Sequence, residues 1–391
     1  MNKPRLIWVK MGVTPGAAAG GVIHEQEFLK AHGDEFEVCY HTHRAIFDWF
    51  RETGMDIEPY DLLETRGAFC SAPLLCKIML GALVRRYPAQ DTSLVIARNQ
   101  FCYDLIPAIR ISRKVGAPLI TYIHGDLFPR FESRSPLRFM FVLFDRIVGF
   151  LLSAIFSKHI FMVNPHYARA YRRIGFPAKN LHVIPNGVDF ELIRSIAKSE
   201  ATVEPTYDLV YFGRLSKSKG TVDLLRAMRR LKQRRPAISL LLFGMADESF
   251  RKEMERLIAA YDLAANIELR PAEFDPDKKY RLLNRARVFV FPTYVDTWGI
   301  SLVEMMALGK ACVVYDIVEM TTLYRDKVLF ARRGSNADLA AKIETLLANE
   351  DQRHHYEQQS LACAEQLSWR HALKLERDTM MRLSGNDRNQ E

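Results

Sequence analysis

Phe291-Pro-Thr-Tyr-Val-Asp296-Thr-Trp-Gly299-Ile-Ser301-Leu-Val-Glu304-Met-Met-Ala-Leu-Gly309 is the stretch that decides the fold. A strand ends at Phe291-Pro292, a turn carrying Asp296 and Gly299 follows, and a helix starts near Ser301. The helix N-terminus exposes unpaired N–H groups and a positive dipole end, which suits a phosphate. Gly299 lets a backbone or ligand approach closely. Asp296 before the helix and Glu304 in its first turn can face one ligand. The same letters also admit a purely structural reading: Ser301-x-x-Glu304 spells a capping box, and Asp296 suits a turn.

Outward from this block the pattern repeats. Candidate strands are Leu6–Val9, Phe36–His41, Leu94–Ala97, Pro118–Ile123 and Ile160–Val163, then Asp208–Phe212, Ser239–Phe243, Ile267–Leu269, Val288–Phe291 and Ala311–Tyr315. Most are apolar throughout rather than alternating, as in strands buried on both faces of a parallel sheet. Helical segments separate them, so the chain reads as α/β with parallel sheets. The two series part near Ile184–Pro205, where two Pro, Asn186-Gly187 and a polar run predict an interdomain linker.

Composition narrows the function. The 391 residues are 48% hydrophobic and 26% charged, as in an ordinary globular protein of two or three domains. Six Cys with no C-x-x-C predict neither a disulfide framework nor a zinc ribbon, and fit reduced thiols in a cytoplasm. Leu6–Val9 is too short for a signal-peptide core. Phe139–Phe156 is the longest apolar stretch, but Asp145-Arg146 in its middle would cost about 2.5–3.5 kcal/mol per charge in a bilayer centre. It reads either as a core helix or as one lying on a membrane surface. The net charge is +9, and residues 101–235 hold 23 Lys/Arg against 10 Asp/Glu. That excess fits an anionic membrane surface, nucleic acid or an acidic substrate, as well as a plain solvated face.

Other segments add chemistry. Gly213-Arg214-Leu-Ser-Lys-Ser-Lys219-Gly220 follows a strand, where open α/β sheets bind ligands, and offers two cations to a diphosphate. It is not a P-loop, because the Gly-Lys-Thr order is inverted. Gly16-Ala-Ala-Ala-Gly20-Gly21 opens the first helix without a G-x-G-x-x-G, so a nicotinamide dinucleotide has little support. His124-Gly125-Asp126 follows a strand end. His41, His43, Arg98, Asn99 and Gln100 stand at strand ends of the first series and are candidates for an acceptor site. Asp275-Pro-Asp277 spells D-x-D but opens a helix, where acidic residues cap.

Together these residues resemble the retaining GT-B glycosyltransferases of glycosyltransferase family 4. The resemblance is strongest over residues 180–320. It rests on Ile184-Pro-Asn-Gly-Val-Asp189, Gly213-Arg214…Lys219-Gly220, Gly244 after a strand, and Pro292–Gly309, which resembles the family's E-x7-E block. It implies two Rossmann-like doubly wound domains facing across a cleft. The N-terminal, acceptor-side domain would cover 1–190 plus a crossover helix at about 367–384, and the donor domain 205–366. It implies that Arg214 and Lys219 bind the donor diphosphate and that Asp296 holds donor-sugar hydroxyls. Glu304 would bind the ribose, and Gly299, Ile300 and Ser301 would offer N–H groups. Gly20, Gly21, Gly213 and Gly244 would complete the donor contacts, and His124 would contact the sugar. His41, Arg98 and Asn99 would line the acceptor side.

The implied activity is a retaining, metal-independent hexosyl transfer from a UDP- or GDP-sugar, UDP slightly favoured. The acceptor would be lipid-linked or a glycan, in bacterial surface polysaccharide or lipopolysaccharide synthesis, and no cofactor is implied. Cytoplasmic placement, peripheral at the inner membrane face, and no nucleic-acid partner complete the expectation. Asp296 stands where the family has Glu, Trp298 where it has Phe, and Met305 where it has Ala. Two alternatives compete: a nucleotide-sugar epimerase on the same two-lobed fold, and a non-catalytic basic membrane-binding module.

Overall fold

The computed structural model describes residues 3–11, 20–43, 47, 51, 58–63, 91–124, 136–200 and 202–385. Gly16, Gly125 and Asp126 lie outside them. The chain divides into two compact units, Met1–Asn186 with Ala372–Glu391, and Gly187–His371.

In the first unit the strands are β1 (Arg5–Lys10), β2 (Glu37–His43), β3 (Glu58–Leu63), β4 (Thr92–Ala97), β5 (Leu119–Ile123), β6 (His159–Met162) and β7 (Leu181–Val183). They pair in the order β3-β2-β1-β4-β5-β6-β7, all parallel. The helices are α1 (Gly20–His32), α2 (Cys102–Val115), α3 (Pro136–Phe156) and α4 (Ala168–Arg173). In β1, Leu6, Ile7, Trp8 and Val9 are all fully buried. A strand covered on both faces must be apolar on both, which is why it reads as a run and not an alternation.

The second unit repeats the plan. Its strands are β8 (Tyr207–Phe212), β9 (Leu240–Phe243), β10 (Ile267–Arg270), β11 (Ala286–Phe291), β12 (Ala311–Tyr315) and β13 (Leu329–Ala331). They order as β10-β9-β8-β11-β12-β13, again parallel. Its helices are α5 (Phe190–Ser199), α6 (Thr221–Lys232), α7 (Glu248–Ala260), α8 (Pro276–Asn284), α9 (Ile300–Ala307), α10 (Val318–Tyr324), α11 (Asn336–Ala348) and α12 (Glu350–Gln366). Helix α13 (Trp369–Leu383) starts in this unit and continues in the first. Leu209, Leu240, Val288 and Val313 of the sheet pack with Leu224, Met228, Leu339 and Ile343 of α6 and α11 in one core. Each such side chain contributes roughly 1.5–3 kcal/mol by leaving water.

Both sheets reverse strand order once, between β1 and β4 and between β8 and β11. In open α/β sheets the carboxyl ends at such a reversal form the ligand crevice.

The sequence reading differs from the structure in four elements. Residues 190–199, expected as linker, form α5, with Asp189 capping it by accepting from Leu192 N at 3.2 Å. The second unit therefore begins at Gly187, not at 205. Strands β3, β7 and β13 were not expected. Each is at or near a sheet edge and short or polar, β3 including Glu58, Pro59 and Asp61.

The core reading of Phe139–Phe156 holds for one face of α3 only. One face of α3 is core: Asp145 accepts from Cys102 N at 3.0 Å, and a Cβ on Gly149 would stand 2.0 Å from Gln100 O. The opposite face, at 100° per residue, carries Met140, Phe144, Ile147, Leu151 and Ile155. Met140, Phe144 and Ile155 are 59%, 61% and 68% exposed.

Candidate functional site

The β8/β11 reversal gathers the residues that the sequence singled out. Gly213 leaves β8 at φ 144° and Gly244 leaves β9 at φ 154°. A Cβ on Gly244 would lie 1.7 Å from Gly213 O, and one on Gly213 would lie 3.5 Å from Ser301 Oγ. Only hydrogen fits between these two backbones, so the chain segments leaving β8 and β9 touch, with the start of α9 beside Gly213. Gly220 makes the second close approach: its Cβ would meet Pro292 O at 1.8 Å. The 213–220 loop and the 292–299 turn therefore touch.

A cation and an anion tie that contact. Lys219 Nζ donates to Asp296 Oδ2 at 2.8 Å and to Val295 O at 2.7 Å. Asp296 Oδ1 accepts from Trp298 N at 3.1 Å and Gly299 N at 2.7 Å. Asp296 is thus a turn residue and an ion-pair partner at once. The expectation that Gly299 N serves a phosphate is corrected, since Asp296 takes it. Helix α9 starts at Ile300 with Gly299 as its N-cap. The N–H groups of Ile300 and Ser301 lack i−4 acceptors by helix geometry and face outward from the N-terminus. Arg214 is exposed, with no carboxylate in ion-pair reach among the described residues. Its backbone O is fixed by the Tyr211 hydroxyl at 2.6 Å.

Glu304 is the fifth residue of α9, so it cannot close a capping box on Ser301. Its Oε1 accepts from Lys279 Nζ at 3.0 Å and Tyr280 OH at 2.7 Å. Burial first, then the Glu304 charge, pushes the Tyr280 hydroxyl pKa well up, so it stays a donor. Lys279 also lies 5.5 Å from the Phe212 ring at the end of β8. The sequence reading missed Lys279 and Tyr280. Their segment was read only for its cap, and Asp275 does cap α8, accepting from Lys278 N.

In the first unit, Gly20 and Gly21 open the 13-residue helix α1. His124 follows β5, with its ring stacked 5.0 Å from Tyr122 at 9°. Burial, then the charges of Arg98, His24 and Lys10, holds its pKa well below the usual value. It is a neutral imidazole, not a proton donor of the imidazolium kind.

The acceptor expectation for His41 and Arg98 is corrected, because both are fully buried. Arg98 lies between the rings of Trp8 and Tyr122, at 4.4 and 4.2 Å. Its Nε donates to Glu25 at 3.1 Å, and its NH1 approaches Glu376 at 3.5 Å. Glu376 also binds His24 Nε2 and the Tyr122 hydroxyl. Asn99 is half-buried and donates to Asp104 at 3.0 Å. Burial pushes the Asp104 pKa up to about 7, against the pull of Lys10, Met11 N and Asn99.

Known proteins place this arrangement. Residues 28–192 match the family described as Glycosyltransferase Family 4, and residues 193–361 match Glycosyl transferases group 1. The chain is 23% identical over 300 residues to a GDP-mannose:cellobiosyl-diphosphopolyprenol alpha-mannosyltransferase of Xanthomonas oryzae pv. oryzae, covering 74% of this chain and 76% of that one. It is 31% identical over 146 residues to a phosphatidyl-myo-inositol mannosyltransferase of Mycobacterium tuberculosis, 37% of each. Anabaena Alr3699/HepE in complex with UDP superposes with a TM-score of 0.73 over 97% of this chain and 100% of that one, at 18% identity, a likeness of fold. The chain belongs to the GT-B glycosyltransferases of the family 4 type, which are built from two Rossmann-like domains.

Proposed function

We propose that the chain is a retaining glycosyltransferase that moves a hexosyl or N-acetylhexosaminyl group from a nucleoside-diphosphate sugar to a lipid-linked acceptor in the building of a bacterial surface glycan. The observation that carries this reading is the β8/β11 reversal. There an exposed Arg214, the Lys219–Asp296 pair and the start of α9 come together where Gly213 and Gly244 let two backbones touch. Arg214 and Lys219 would bind the diphosphate, and Ile300 and Ser301 N–H groups would donate to it. Glu304, held by Lys279 and Tyr280, would take the ribose hydroxyls. As the C1–O bond to the diphosphate breaks, an acceptor oxygen bonds C1 from the same face and its proton passes to the departing phosphate. Arg214 and the helix end supply most of the charge stabilisation, with Lys219 shared between Asp296 and the diphosphate, so no metal is needed in this scheme.

UDP or GDP should raise the melting temperature, and Glu304→Ala should reduce that rise. Slow hydrolysis in a panel of nucleotide sugars should then name the donor, with UDP-sugars tried first. If no nucleoside diphosphate moves the melting curve, the reading fails.

The bare face of α3 supports the lipid-linked acceptor. Contiguous exposed apolar patches mark interaction surfaces. Residues 101–186 of the same unit hold 12 Lys/Arg against 4 Asp/Glu. An apolar stripe within a basic region suits a helix resting on anionic lipid, the cations adding up to about 1 kcal/mol each near the surface. The names of the Xanthomonas and Mycobacterium relatives carry a diphosphopolyprenol and a phosphatidyl-inositol, which point the same way. Phe144→Glu with Leu151→Glu should abolish sedimentation with phosphatidylglycerol vesicles and leave the circular dichroism unchanged. Equal sedimentation of the native chain with neutral vesicles would remove the electrostatic part of the argument.

A further inference from the structure

Part of the basic excess belongs to the second unit. Arg226-Ala-Met-Arg229-Arg230-Leu-Lys232-Gln233-Arg234-Arg235 places six cations in ten residues on α6 and just beyond it. Cations in a last helical turn complement the dipole, which accounts for two or three of them. Three of the six have carboxylates. Lys232 pairs with Asp262 at 2.9 Å, Arg235 with Glu344 at 3.0 Å, and Arg226 with Asp223 at 3.1 Å. Arg229 and Arg230 have none in ion-pair reach among the described residues. Those two line a cavity of about 390 Å3 together with Arg226, Gln233, Tyr261 and Asn336.

The lining arginines are exposed, so this is an open surface pocket in which two contacts steady the cations. Arg230 Nε donates to Asn336 Oδ1 at 2.8 Å, and the Arg229 guanidinium lies 5.3 Å from the Tyr261 ring centre. Asn336 is also the first residue of the 13-residue helix α11, whose positive end adds to the same field. Like charges at i, i+3 and i, i+4 cost a few tenths of a kcal/mol each when nothing lies between them. Three guanidinium groups converge here and Asp223 neutralises one, so two positive charges stay uncompensated. None of the lining residues belongs to the donor loops, to α8 or to α9.

We propose that this cavity is a second anion site, which takes a small soluble phosphate ester or diphosphate carrying about two negative charges. Guanidinium forks match phosphate oxygens bidentately, and Gln233 and Asn336 add neutral polar contacts. The site also has a link to the donor turn. Asp223 Oδ2 accepts from the hydroxyls of Tyr294, in that turn, and of Tyr315, while its Oδ1 accepts from Arg226.

The test uses inorganic pyrophosphate on the full chain. Phenylglyoxal modification of Arg229 and Arg230, read by peptide mass spectrometry, should slow about tenfold at ten times the dissociation constant. Exposed Arg287, outside the cavity, should keep its rate. The protection should persist in Arg214→Ala, which separates this site from the donor site whatever that residue's role. In calorimetry Arg230→Glu should weaken pyrophosphate binding at least about tenfold. Equal protection of Arg287, loss of protection in Arg214→Ala, or protection by phosphatidylglycerol vesicles and not by pyrophosphate would each overturn the proposal.

Discussion

Replacing Arg214 by Ala should lower the transfer rate by about 10²–10³-fold and leave the melting temperature of the free chain nearly unchanged. The reason is the different employment of the two cations at the β8/β11 reversal. Lys219 already spends its charge inside the fold, on Asp296 and on Val295 O. Arg214 is exposed and has no carboxylate partner among the described residues, so removing it strands none of them. Its charge is available for what develops on the departing diphosphate, where a preorganised donor acts most strongly in the transition state. Lys219→Ala should behave differently. It leaves Asp296 uncompensated and frees the 292–299 turn from the 213–220 loop, so it should lower both stability and donor affinity. Arg214→Lys should recover part of the rate, because a point charge replaces a fork that grips two oxygens. The measurement is kcat and donor KM for each variant beside its melting curve. Full turnover in Arg214→Ala would remove this residue from the reaction.

The contrast between the two units shows which physics a sequence carries. The residues at the β8/β11 reversal were legible because their constraints are local. Gly213, Gly220 and Gly244 mark places where backbones meet, Gly299 marks a left-handed turn, and a strand-turn-helix pattern fixes where its own loop must lie. Even there, the partners of Glu304 escaped. Lys279 and Tyr280 sit about 25 positions away, and nothing in their own segment announces a carboxylate. In the first unit a strand-end arginine and histidine looked like ligand contacts, because a charged residue at such a position seldom has another use. The use here is a pairing of Arg98 with Glu376, 278 residues apart, which no window of sequence displays. The edge strands failed for a related reason. Half-exposed strands such as β7 need not be apolar, so their pattern fades into that of loops.

That pairing carries the largest stability effect expected of any single change. Lys10, Glu25, Arg98 and Glu376 are four charges with essentially no exposure. Burying an ion costs several kcal/mol, offset only while each charge keeps its partners. Arg98→Met removes the cation between Glu25 and Glu376 and should destabilise the first unit by about 3–5 kcal/mol. Glu376→Leu should cost a similar amount, and should also loosen α13, whose Glu376 is held by His24 and the Tyr122 hydroxyl. The double variant should cost much less than the sum, by about 2–3 kcal/mol, because the remaining Lys10–Glu25 pair stays balanced. Simple additivity in urea unfolding would refute the coupling. The pH dependence supplies a second check with a definite sign. Burial alone would raise the Glu376 pKa, but His24, Arg98 and the Tyr122 hydroxyl together hold it below its ordinary 4.5. Its folded pKa is therefore depressed, so its contribution is complete above about pH 4.5 and disappears as the pH falls through the folded value. Asp104 has the opposite sign: its folded pKa is about 7 against an ordinary 3.8, so stability declines as pH rises between them. Glu376→Leu should flatten the acid limb of the stability profile and leave the decline toward neutral pH in place, whereas Asp104→Asn should do the reverse.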